Sequence, residues 1–127
     1  MSAENVALVN DLYAAFGRGD VPAVLGGMSP DIEWDAPASI FGEDGHAHGP
    51  EAVGNFFAKL VTTFSDMHTE PKELIDGGDR VVALGEHRMT AAKGSCQIAF
   101  AHVWTIRDGK VASFFEVADT APLAAVM

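Results

Sequence analysis

The stretch Phe100-Ala101-His102-Val103-Trp104-Thr105-Ile106-Arg107-Asp108-Gly109-Lys110-Val111 leaves the chain little choice of local structure. Two apolar strands flank Asp108-Gly109, a pair suited to a two-residue turn in which both residues take positive φ. The second strand continues through Phe114-Phe115-Glu116-Val117-Ala118-Asp119. His102, Glu116 and Asp119 sit among these aromatics, where a charge is costly unless it is paired or used. The hairpin therefore points to a sheet with a pocket against it.

At 127 residues the chain is long enough for one domain, spanning 1–127, with a real core. Its apolar runs are short and interrupted, so no membrane span is expected. The start, Met1-Ser2-Ala3-Glu4-Asn5, has no basic segment before an apolar block, and a cytoplasmic location is expected. A net charge of −10 repels phosphate backbones, which argues against nucleic-acid binding. Cys96 is the sole cysteine, so no intrachain disulfide can form, and it reads as a small core residue.

Apolar spacing at Val6, Val9, Leu12, Tyr13 and Phe16 predicts a helix over residues 4 to 17, ended by Gly17 and Gly19. Asp20 caps a shorter second helix with Pro22 in its first turn, and Pro30 stops that segment. Asp31-Ile32-Glu33-Trp34-Asp35 alternates as a strand, and residues 36 to 48 read as a loop. Gly49-Pro50-Glu51 opens a third helix whose apolar face carries Val53, Phe56, Phe57, Leu60, Val61 and Phe64. Strands follow at about 67 to 76, Arg80 to Met89 and Cys96 to Ile106, and then the hairpin leads to the last strand. Ala121 to Met127 is either a short helix or frayed. This order means α+β: three helices packed on a curved antiparallel sheet, a cone with a ligand pocket at its open end.

The chain resembles the cone-shaped domains typified by nuclear transport factor 2 and ketosteroid isomerase, and within them the polyketide-cyclase-like, or SnoaL-like, branch. The likeness covers nearly the whole chain. It rests on Tyr13 to Phe16 followed by Gly19-Asp20, on Glu33-Trp34, on Gly49-Pro50-Glu51-Ala52-Val53, and on Gly78-Asp79-Arg80-Val81-Val82. It ends in His102-Val103-Trp104, Asp108-Gly109-Lys110 and Asp119-Thr120-Ala121. The resemblance implies a carboxylate deep in the cone as general acid or base, which in the cyclase-like branch matches Asp119. It also implies a homodimer. The base and paired donors of the ketosteroid isomerases find no full match here.

If the turn pairs Arg107 with Lys110, His102 lies opposite Phe115 and Asp119 opposite Ile98. Ile98, Phe100, His102, Trp104, Phe115, Val117 and Asp119 then share the inner face, and Glu116 lies on the outer face with Ala99, Ala101, Val103 and Phe114. A β-bulge near Ala118 would move Asp119 across. Asp119 and His102 are the expected catalytic pair, the aspartate with a pKa raised by Phe100, Phe115 and Trp34 around it. His102 or Tyr13 would stabilise an enolate. The expected substrate-binding wall is Tyr13, Trp34, Phe57, His87, Phe100, Trp104 and Phe115, with His87 turned inward alongside Val81, Ala83 and Gly85.

These residues describe a cofactor-free acid–base enzyme, of cyclase or isomerase type, acting on a small hydrophobic carbonyl or polyketide-like compound. The alternatives are a ligand-binding module without chemistry and a dimeric interaction domain. Asp119 could equally end the strand and cap Thr120-Ala121-Pro122. Asp44, His46 and His48 match no metal-site spacing and read as a solvated loop at the pocket mouth, so no metal is expected. Gly42, Gly45 and Gly49 form no phosphate loop. The apolar outer sheet face needs cover, which sheet-to-sheet homodimerisation would supply.

Overall fold

A computed structural model describes residues 2–38 and 43–127. Two helices come first, α1 (Ser2–Gly17) and α2 (Val21–Gly26), followed by β1 (Met28–Asp35), β2 (His46–His48) and α3 (Pro50–Thr63). Four strands follow, β3 (Asp66–Asp76), β4 (Arg80–Ala91), β5 (Gly94–Arg107) and β6 (Lys110–Ala118), then the short helix α4 (Ala121–Val126). Asp20 caps α2 as expected, its carboxylate accepting from the Ala23 N–H at 3.2 Å. Of the loop predicted over 36 to 48, residues 39–42, Gly42 among them, lie outside the described residues, and 46 to 48 form β2.

The sheet order is β2-β1-β6-β5-β4-β3. Strands β3 to β6 run antiparallel in succession, but β1 and β6 are parallel. The expected wholly antiparallel sheet is thus corrected at one seam. The last strand inserts between β1 and β5, and its direction is already set by the β5–β6 hairpin. Pro30, expected to halt the chain before the strand, lies inside β1 instead. It falls in the stretch between Met28 and Glu33 where the β1–β6 register is broken, so its missing N–H removes no ladder bond. The helices cover one face of this sheet. Val9, Leu12, Trp34, Val53, Phe57, Val81, Trp104, Val111 and Phe114 form the main core between them.

The hairpin turn forms as expected, with φ of 53° at Asp108 and 75° at Gly109, and Arg107 pairs with Lys110. Two residues later the ladder slips. Ile106 faces Val111 but Thr105 faces Ser113, so Ala112 is an extra, unpaired residue. A bulge of this kind moves every later side chain to the opposite face. Val111 and Phe114 both point inward, while Phe115 and Val117 are 50% and 57% exposed. His102 therefore pairs with Glu116, and Phe115 pairs with Val103. The expected register, with Phe115, Val117 and Asp119 inside and Glu116 and Phe114 outside, is corrected by a single residue near the turn rather than near Ala118.

Gly85 sits on the inner face opposite Phe100. A β-carbon there would lie 2.1 Å from the Glu70 carbonyl oxygen, 2.9 Å from Pro71 Cα and 2.8 Å from Phe100 Cζ. Two of those atoms are backbone and cannot swing aside. Gly85→Ala is expected to lower stability by about 1–3 kcal/mol through overpacking. Urea unfolding of the variant beside the unaltered protein measures it, and an unchanged midpoint would refute the close approach.

Candidate functional site

Between the helices and the inner sheet face lies a cavity of about 790 Å³, counting its open mouth. Its wall is mainly apolar, with Leu12, Phe16, Trp34, Phe56, Phe57, Met89, Ile98 and Phe114 among its residues. Thr120 lies in the wall as well, and five further polar side chains interrupt it along one side: Tyr13, Thr69, His87, His102 and Glu116.

These five form a continuous hydrogen-bonded chain. The Tyr13 hydroxyl lies 2.5 Å from His102 Nδ1, and Trp104 Nε1–H donates to the same hydroxyl at 3.0 Å. His102 Nε2 and His87 Nε2 each stand 2.6 Å from Glu116 Oε2. Thr69 Oγ1 closes the far end, 2.9 Å from His87 Nδ1. Each strand of the β3–β6 meander supplies a member, and the inward period-two positions of β4 and β5 supply the histidines. The Phe100 ring lies behind both imidazoles, stacked on His102 at 3.8 Å between centroids and tilted against His87 at 4.5 Å.

The protons in this chain can be assigned from its ends. Trp104 can only donate, so the Tyr13 oxygen accepts and its own hydrogen is free to go to His102 Nδ1. His102 is then the neutral tautomer with hydrogen on Nε2, which donates to Glu116. The charges agree with this assignment. Burial pushes the Glu116 carboxyl up, but the hydrogen bonds from His102 and His87 outweigh it and bring its pKa down to about 2. Burial lowers the pKa of His102 below its ordinary value, against the opposing pull of Glu116. Burial raises that of Tyr13, so the phenol keeps its hydrogen. The resting state is an ionised Glu116, a neutral His102 and a protonated Tyr13. Thr69 differs from Tyr13 because no indole N–H is fixed on its oxygen. Its hydroxyl can donate to His87 Nδ1 or accept from it.

Two imidazole nitrogens and a carboxylate oxygen within 4.8 Å of one another also invite comparison with a metal centre. The spacing does not fit one. Each nitrogen is 2.6 Å from the same oxygen, whereas ligands held about 2.0–2.2 Å from a shared zinc stand roughly 3 Å apart. A metal on His102 Nε2 would also move the imidazole hydrogen to Nδ1 and reverse the contact with Tyr13, leaving the phenolic hydrogen without its acceptor. The contacts are those of a hydrogen-bonded cluster.

Of the residues singled out from sequence, Tyr13, Trp34, Phe57, His87, His102 and Trp104 all line the cavity. Phe100 is buried and supports the histidines from behind, without being part of the cavity wall. Phe115 is on the outer face. Asp119 is exposed and outside the cavity wall, with its backbone N–H bonded to the Ala99 carbonyl at 3.1 Å. The buried carboxylate is Glu116, three residues earlier, moved inward by the bulge. Glu116 and Thr69 are the members that sequence reasoning missed. A signal for the first existed: two inward histidines need hydrogen-bond acceptors for their ring N–H groups, and Asp119 in the expected register was too far along the ladder to serve. His46 and His48 stay at the surface, where His46 contacts Asp35 at 2.8 Å and Glu33 at 2.9 Å, and His48 contacts Glu33 at 2.6 Å.

Acid should dismantle this chain. The folded pKa of Glu116 lies below its ordinary 4.5, so its contribution is complete above that value and is lost as pH falls toward about 2. His102 is also lowered from 6.5, so the unfolded chain takes up a proton first as pH drops below that value. Both effects have the same sign. Urea midpoints are expected to fall steadily from pH 7 to pH 3, with the part below about pH 4.5 flattened in Glu116→Gln. Equal slopes in the two proteins would count against the assignment.

The sequence profile of the SnoaL-like domain matches residues 9–114. No curated protein is significantly similar in sequence. Among solved structures, an NTF2-like protein of unknown function from Burkholderia pseudomallei K96243 is 36% identical, with a TM-score of 0.90 over 97% of this chain and 96% of that one. TerC, co-crystallised with polyporic acid, is 32% identical, with a TM-score of 0.88 over 97% of both chains. AclR, a putative hydroxylase from Streptomyces galilaeus, is 22% identical and shares the fold, with a TM-score of 0.80 over 98% of this chain and 96% of that one. By profile and by structure, the chain belongs to the SnoaL-like domain family of NTF2-like proteins.

Proposed function

We propose that this protein is a cofactor-free acid–base enzyme that acts on a small hydrophobic carbonyl or polyketide-like compound, in a cyclisation or isomerisation. The observation that carries this reading is the buried hydroxyl–imidazole–carboxylate chain, Tyr13–His102–Glu116, with successive contacts of 2.5 and 2.6 Å at the wall of an apolar cavity. Glu116, with a pKa near 2, is too weak a base to take a substrate proton well. Its part is to orient His102 and to stabilise the imidazolium that forms when His102 gains a proton.

The proton reaches His102 through Tyr13. As the Tyr13 oxygen takes a proton from the substrate, its own hydrogen passes to His102 Nδ1, so tyrosinate never accumulates. In the return step His102 gives that proton back to Tyr13, which protonates the substrate at a new position. His87, sharing Glu116 and facing the adaptable Thr69 hydroxyl, keeps the carboxylate oriented in both states. Asp119, the carboxylate that the family resemblance implied, has no part in this mechanism.

The test is exchange of the α-hydrogens of 2-tetralone for deuterium in D2O, followed by NMR. The protein is expected to accelerate exchange, and Tyr13→Phe and Glu116→Gln are each expected to cut that acceleration roughly 100-fold or more. Asp119→Asn should leave it unchanged. Exchange that survives Glu116→Gln, or disappears in Asp119→Asn, would overturn the mechanism. Binding without exchange would make the protein a ligand-binding module. Because TerC is crystallised with polyporic acid, that compound is the first natural ligand to titrate.

We also propose that a second copy of the chain covers the outer sheet face. Phe115 and Val117, 50% and 57% exposed, lie beside Val103 and Ala101, with the 38%-exposed Leu84 opposite Ala101. Three adjacent strands thus present one apolar patch, the kind of surface that marks an interface. Phe115→Asp is expected to halve the mass measured by light scattering. A monomer before substitution, or a dimer after it, would contradict the assignment.

A further inference from the structure

Phe100 is buried but does not belong to the cavity wall, so it acts on the chemistry only through its neighbours. Its ring and the His102 imidazole lie 3.8 Å apart between centroids and within 12° of parallel. The two residues are two apart on β5 and share its inner face. His87 meets the same ring at 4.5 Å but is tilted by 34°. Gly85 stands opposite Phe100 on β4, and a β-carbon there would come within 2.8 Å of Phe100 Cζ. The ring thus lies across the space that a side chain at that position would take.

An aromatic ring carries a negative face and a positive edge. A cation over that face, within about 6 Å of the centroid, is attracted to it, and desolvation strengthens the attraction. Phe100 and His102 are 5% and 4% exposed. When His102 gains a proton, a packing contact therefore becomes a charge contact as well. Tyr13 from α1, His87 from β4 and Glu116 from β6 are the titratable groups that face His102. Glu116 does not choose between the imidazoles, because both reach the same oxygen at 2.6 Å. The parallel ring is one feature that distinguishes them, besides the Tyr13 hydroxyl.

We infer that Phe100 is a positioning residue: the face of its ring stabilises the imidazolium form of His102, and so makes His102 rather than His87 the imidazole that carries the proton in transit. Glu116 holds that charge from the edge of the imidazole, at Nε2, and Phe100 holds it from the face. Gly85 contributes by leaving the Phe100 ring its seat. The inference rests on the acid–base reading for the use made of the proton, but the charge on His102 is measured without any reaction.

The imidazole nitrogens of the 15N-labelled, ligand-free protein report the charge on each ring as pH falls, and His102→Gln assigns the signals. Phe100→Leu keeps the apolar bulk and removes the ring. Replacing Phe100 by 3,5-difluorophenylalanine keeps the ring and its burial and weakens only the negative face. Phe100→Leu is expected to lower the pKa of His102 by roughly one unit, and the fluorinated ring to lower it by part of that. The titration curve of His87 is not expected to follow. In the 2-tetralone exchange, Phe100→Leu should cut the limiting rate roughly tenfold and leave the half-saturating concentration unchanged. Packing alone would move both histidines together in Phe100→Leu and neither with the fluorinated ring, and that result overturns the inference. So does a His102 that stays neutral in every variant down to the acid limit of the fold. Should Phe100→Leu fail to fold, the fluorinated protein decides. If His102 shifts as expected while no variant, nor the unaltered protein, accelerates exchange, the ring–imidazolium contact stands and the acid–base reading alone fails.

Discussion

Everything distinctive about this molecule depends on one oxygen atom. Glu116 Oε2 receives an imidazole N–H from each of two strands, at 2.6 Å in both cases. A carboxylate with its side chain only 13% exposed would ordinarily take up a proton to escape its desolvation. Two charge-assisted hydrogen bonds reverse that preference. The ionised carboxylate then dictates the tautomer of His102, which dictates where the Tyr13 hydrogen points. Trp104 fixes the same hydrogen from the other side. The network is therefore set from both ends, and its one adaptable terminus is Thr69.

This arrangement exists because of a defect in a ladder. Without Ala112 as an unpaired residue, β6 would carry Phe115 and Val117 into the core and put Glu116 in solvent. With it, Phe114 stacks on Trp34 and Glu116 meets the histidines. The same slip places Phe115 and Val117 on the outer face. One inserted residue thus connects the interior polar chain to the apolar exterior patch. Bulges of this type re-aim side chains beside functional sites.

Much of the fold was legible in the sequence. The Asp108-Gly109 turn, the capped second helix, the proline-led third helix and the inward sides of β4 and β5 follow from local rules that the structure obeys. Trp34, Phe57, His87, His102, Trp104 and Tyr13 were readable as pocket residues because alternation and helical spacing put them on inward faces. Long-range choices were not readable. Nothing local says that β6 inserts between β5 and a parallel β1, or that the three-residue β2 forms. The bulge left only a faint mark, the small pair Ala112-Ser113 between the bulky Val111 and Phe114. Missing it put Asp119 rather than Glu116 on the inner face.

The most direct test of this account is a carbon-13 titration of the Glu116 side-chain carboxyl, assigned with Glu116→Gln. The account requires a carboxylate that stays ionised through the whole folded range, with its pKa near 2 and below the ordinary 4.5. A carboxyl that titrates at or above that ordinary value would mean that the two imidazoles do not donate to it, and the proton relay would have no anchor.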